Sequence, residues 1–149
     1  MFIARRLVIL AAEDVGMADP QALSVAVAAQ QAVHLVGMPE GSIPLAEATV
    51  YLATAPKSNA SYMALQKATA DVQKTRNEPV PLHLRNAVTG LMKEMGYGEG
   101  YKYSHDQEGH FAPMQNLPDS LKGRRYYQPG DQGYEVETAE RLRRWWRKG

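Results

Sequence analysis

An all-α fold is what this chain predicts, and three observations carry the prediction. Apolar residues recur at three-to-four spacing through most of positions 1–95, the repeat of one helix face. Helix starts and stops punctuate those stretches, with Asp19-Pro20 and Ser42 as starts and Gly37 and Pro56 as stops. From Gly133 the helical period returns, after an interval rich in glycine, proline and tyrosine where neither the helical nor the strand period holds.

Each element follows from its own residues. Phe2, Ile3, Leu7, Leu10 and Ala11 mark a first amphipathic helix, and since no capping residue precedes it the chain reads as an excised fragment. Asp19 offers an N-cap oxygen, Pro20 suits a first turn, and Gly37 with Pro39 makes a stop, so a second helix is expected over about residues 20–36. Ser42 is placed to cap a third helix carrying Pro44 in its first turn. Pro56 closes it, because the residue before a proline is driven out of the α region. Ser58 caps a fourth helix, on which Asp71 and Lys74 form an exposed pair opposite Leu65, Ala68 and Val72. Pro79 and Pro81 break the chain again, and a fifth helix is expected from about Leu82 to Met95. Val136, Ala139, Leu142 and either Trp145 or Trp146 share one side of a last helix, with the arginines on the other.

The domain plan is thus a single domain over 1–149, with a helical core over 1–95, an irregular segment over 96–132 and a C-terminal helix over 133–148. The irregular segment is expected to wrap the helices. Tyr97, Tyr101, Tyr103, Phe111, Tyr126 and Tyr127 can bury enough ring area to offset the entropy of ordering it.

Composition excludes several classes of function. A chain of 149 residues can bury a core without a staple, and with no cysteine it has neither a disulfide framework, a Cys-based zinc site nor a thiol nucleophile. Gln30-Gln31, His34 and Glu47 interrupt the apolar runs well short of a bilayer span, so a membrane partner is not expected and a cytoplasmic location is. Net charge is +1, yet the C-terminal third holds nine Lys/Arg against seven Asp/Glu, five of the cations between Arg141 and Lys148. That asymmetry points to an anionic partner.

Residues 22–36 are small and apolar around most of the helix circumference, and the third helix, with Leu45, Ala46, Ala48, Val50, Tyr51, Leu52 and Ala53, reads the same way. Either both helices lie in one monomer core, or one supplies a subunit interface resembling a cut core. The interface candidates are Leu23, Val27, Val33, Leu45, Val50 and Leu52. A second constellation interleaves cations with rings: Lys122, Arg124, Arg125, Tyr126 and Tyr127, then Arg143, Arg144 and Arg147 around Trp145-Trp146. Cations on phosphates and rings on bases would suit single-stranded nucleic acid; alternatively, the arginines favour a helix C-terminus and the tyrosines dock on the core.

Catalytic chemistry finds little footing. His105, Asp106, Glu108 and His110 have metal-ligand side chains within six residues, but the same residues suit a solvated turn, and no metal site is assigned. His34 and His83 read as structural histidines, since nothing places a nucleophile beside either. Gly96-Tyr97-Gly98-Glu99-Gly100 lacks the Lys-Ser/Thr of a phosphate-binding loop and follows no strand, so no nucleotide is expected to bind here. Lys57, Ser58 and Asn59 form either a polar patch toward a neighbouring module or a helix start; Ser58 is read as the start.

Four strings identify the chain's kin: Leu52-Ala53-Thr54-Ala55-Pro56-Lys57-Ser58-Asn59-Ala60-Ser61-Tyr62, Val80-Pro81-Leu82-His83-Leu84-Arg85-Asn86-Ala87, Gly96-Tyr97-Gly98-Glu99-Gly100-Tyr101-Lys102-Tyr103, and Leu117-Pro118-Asp119-Ser120-Leu121-Lys122-Gly123-Arg124-Arg125-Tyr126-Tyr127. With them the chain resembles, over nearly its whole length, the C-terminal part of the replication-associated recombination protein A (MgsA) family of AAA+ ATPases, related to Werner-helicase-interacting protein. Val88 and Ser104 stand where that family commonly has proline. The resemblance implies a helical oligomerisation domain similar to clamp-loader collars, which assembles its parent into a homotetramer. It further implies an ATP- and Mg-binding module upstream of residue 1, a role at stalled replication forks, a nucleoid-associated location, and DNA and the single-stranded DNA-binding protein as partners.

Overall fold

The structure, a computed structural model, describes residues 1–75 and 78–148, the side chain of Lys148 excepted; among these it holds six α-helices and no strand. They are α1 (Phe2–Leu10), α2 (Ala22–Val36), α3 (Ser42–Thr54), α4 (Ala60–Thr75), α5 (Gly90–Glu94) and α6 (Glu135–Lys148). The chain divides into two compact units. One comprises Met1–Ala68 with Tyr126–Arg141, the other Thr69–Arg125 with Leu142–Gly149.

In the first unit α1 runs into a wider π-type turn at Ala11–Val15 and a 3-10 turn at Gly16–Ala18, then α2 and α3 pack on each other and on α1. Asp19 stands just ahead of α2, where its carboxylate accepts from the Gln21 amide at 3.0 Å and from the Tyr51 hydroxyl at 2.6 Å. Gly37 ends α2 with φ at 79°, a conformation glycine adopts without strain. Ser42 turns out to be the first residue of α3 rather than its cap; Gly41 takes the cap position and no side chain fills it. Ala55, ahead of Pro56, is extended, as proline requires of its predecessor. The Lys57 ammonium then donates to the Leu52 and Ala55 carbonyls, which satisfies acceptors left over at the end of α3. Ser58 does mark the start of α4: its hydroxyl accepts from the Ala60 amide at 3.2 Å.

The core of this unit is built mainly from alanine. Leu7, Ala11 and Val15 meet Ala22, Ala26 and Ala29 of α2 and Ala48 and Leu52 of α3, with Tyr51 and Leu45 partly buried against them. Phe2 and Ile3, expected in the same stripe as Leu7, are exposed, because α1 turns Ala4, Leu7 and Ala11 inward and a helix cannot bury every side. Tyr126–Tyr134 closes against these helices: the Tyr134 amide donates to the Ala18 carbonyl at 2.8 Å. Gly133 makes the approach possible, since its φ is +52° and a Cβ there would overlap the Ala18 carbonyl oxygen.

Expectations for α4 and for the residues after Pro81 are corrected. The fifth helix is not continuous: Leu82–Leu84 is one 3-10 turn, Arg85 is extended, and α5 begins only at Gly90 after Thr89, whose hydroxyl caps the Met92 amide at 3.3 Å. Arg85 holds the break open. Its guanidinium donates to the Val80 carbonyl at 2.7 Å and to the Tyr97 hydroxyl at 3.1 Å, while the Gly98 amide reaches the Leu82 carbonyl at 2.9 Å. On α4, Leu65 and Val72 are exposed while Ala68 and Asp71 are half-buried, the Asp71 carboxylate lying 3.5 Å from the Arg124 guanidinium. The segment up to Arg125 is largely irregular, with short 3-10 turns at Ser104–Asp106, Glu108–His110 and Asp119–Leu121. Tyr97 and Phe111 are half-buried within it, whereas Tyr101 and Tyr103 are exposed.

Candidate association surface and basic groove

The side chains of the first unit are sorted by size in an unusual direction. On α2, Ala22, Ala26, Ala29 and Val33 recur at helical spacing and face the core, while Leu23, Val27, Leu35 and Val36 face out. On α3, Ala48 and Leu52 are buried and Ile43 and Val50 are exposed. Exposure reaches 87% at Leu35, 75% at Phe2 and 69% at Ile43. Small alanine side chains at the contacts permit close helix packing, and Leu7, Val15 and Leu52 fill the remaining interior volume.

Against that sorting, the six expected interface residues divide. Leu52 at 0% and Val33 at 8% exposure are committed to their own chain's core and offer a partner no surface, which corrects their assignment. Leu45 is half-buried against the same core. Leu23, Val27 and Val50 do lie on the surface. Phe2, Ile3, Leu35 and Ile43, which the sequence does not single out as surface, are exposed as well.

In the second unit Lys122, Arg124 and Arg125 line a groove of about 490 Å³ together with Phe111, Met114, Leu117 and Trp146. The aromatic residues are already engaged with neighbours. Phe111 stacks on Trp145 with centroids 5.0 Å apart, and the Arg125 guanidinium lies 4.1 Å above the Trp146 ring. Arg143, Arg144 and Arg147 are exposed on α6.

Tyr126 and Tyr127 belong instead to the first unit, where they are half-buried. There Tyr127 donates to Glu135, the one buried charged residue among those described, at 2.8 Å. Burial and that hydrogen bond hold the Tyr127 phenol well above its ordinary pKa. The other Glu135 oxygen accepts from Ser58 at 2.7 Å and from the Gly130 amide at 2.6 Å.

The histidines are scattered. His105 and His110 bring their rings to 5.3 Å on an exposed turn, and among the described residues no group of three or more metal-ligand side chains converges. His34 is exposed on α2, and His83 lies half-buried in the 3-10 turn with Nε2 lacking a hydrogen-bond partner.

Comparison with known proteins decides the kinship. The model of the family described as MgsA AAA+ ATPase C terminal matches residues 1–146. The chain belongs to this family. Relatives named replication-associated recombination protein A are 47% identical in Coxiella burnetii, over 95% of this chain and 32% of the relative, and 47% identical in Escherichia coli K12, with the same coverage. A Dictyostelium discoideum protein named ATPase WRNIP1 is 42% identical over 86% of this chain and 15% of its own length. The chain thus spans less than a third of the length of the relatives it matches. Among the described residues no helix is long and apolar enough to cross a membrane.

Proposed function

We propose that this family member is the self-association module of a AAA+ ATPase acting in replication-associated recombination, and that it brings four copies of its parent together. The carrying observation is the inverted sorting on α1–α3: alanines fill the interior while Phe2, Ile3, Leu35, Ile43 and Val50 stand exposed. An exposed apolar surface of this kind is stabilised when a partner removes it from water, and obligate assemblies bury such surfaces. In this reading the module itself hydrolyses nothing. ATP and Mg are handled by the upstream part of the parent, at forks in the nucleoid, and the collar of a clamp loader is the architectural analogue. Light scattering of the 149-residue chain across a dilution series tests it: a species of four chain masses at micromolar concentration is expected, and a strict monomer would sink the proposal.

A second reading rests on the groove where Lys122, Arg124 and Arg125 meet Trp146. Cations beside a ring suit single-stranded DNA or a protein bound to it. Binding to a labelled single strand should then weaken steeply with salt and fall with Lys122→Ala and Arg124→Ala. No binding at low salt eliminates direct DNA contact.

A further inference from the structure

Building on the self-association reading, we propose that copies associate head to tail: the outer ridge of α1 from one copy seats in the groove between α2 and α3 of the next. That groove, about 270 Å³, is lined by Val25, Ala28, Ala32, Pro44 and Ala48, with Glu47 its only ionisable residue among those described. On α1, Phe2, Arg6 and Ile9 fall at i, i+4 and i+7, opposite the buried Ala4, Leu7 and Ala11. The ridge therefore reads apolar, cation, apolar. The groove reads apolar, anion, apolar.

Within one copy these two surfaces cannot satisfy each other, because the inner face of α1 already packs on α2 and α3. Arg6 and Glu47 are exposed, and neither has an ion pair among the described residues. A second copy supplies both the apolar cover and the opposite charge, and excluding water around the pair strengthens their attraction. The two surfaces differ, so the contact is heterologous and closes into a ring when the rotation between copies permits.

Charge reversal provides the test: Arg6→Glu and Glu47→Arg, separately and together, compared with the unmodified chain by sedimentation velocity over a dilution series. Both side chains lie outside the core, so circular dichroism melts extrapolated to high dilution, where every variant is dissociated, should match the unmodified chain. Each single reversal is expected to weaken association about tenfold or more, and the double reversal to restore it to within about threefold. Phe2→Ala, which removes a ring without touching charge, should weaken association as well. If the unmodified chain associates and the single reversals match it, or the double is no better than the singles, this docking mode is overturned while self-association stands. A monomeric unmodified chain overturns both.

Discussion

Three donors converge on the Glu135 carboxylate, from Ser58, Tyr127 and Gly130, and they tie the returning segment to the start of α4. A buried carboxylate is tolerated only when its lone pairs are met, so Glu135→Gln, which turns an amide toward donors, should cost roughly 2–3 kcal/mol. Urea denaturation will show it, and an unchanged midpoint would mean the cluster contributes nothing. Tyr127 adds a pH dependence. Its phenol is raised above its ordinary value of 10.0, first by burial and then by the bond to Glu135, and Tyr51 is raised by its bond to Asp19. A raised folded-state pKa means that the unfolded chain loses its proton first. The stabilisation is complete below about pH 10 and declines as pH rises beyond it. Tyr127→Phe should flatten that alkaline decline in stability measured from pH 8 to pH 11. Ser58 and Tyr127 stand out in the sequence only for other roles, and their convergence on Glu135 does not, because the members are separated by up to 77 positions.

Among the elements, α1 to α3 were legible and the region after Pro81 was not. Asp19-Pro20, Gly37 and Pro56 act through local sterics and hydrogen bonds, which sequence displays directly. The break between Leu84 and Gly90 depends on Arg85 reaching Tyr97, twelve positions on, and no local period encodes that. The alanine seam yields its own prediction. Ala26 has 0% exposure where α2 meets its neighbours, so Ala26→Leu forces volume into a filled interior and should destabilise by about 1–3 kcal/mol or more. A thermal melt as high as that of the unmodified chain would contradict the close approach of these helices.

For the molecule as a whole, the proposed self-association predicts that the outward apolar residues separate stability from assembly. Leu35→Ser with Ile43→Ser removes exposed apolar groups and no core contact, so the unfolding free energy extrapolated to high dilution should stay within about 0.5 kcal/mol while the associated fraction falls. Unchanged association would relocate the interface elsewhere on the chain. The sequence by itself determined the family, the all-α class and the course of α2 and α3, since short-range chemistry and apolar spacing are written along the chain. Only the tertiary structure decided that Leu52 and Val33 are spent inside one copy while Leu35 and Ile43 remain outside. Periodicity shows that a helix has an apolar side, but which of several apolar sides is buried depends on how closely the helices approach.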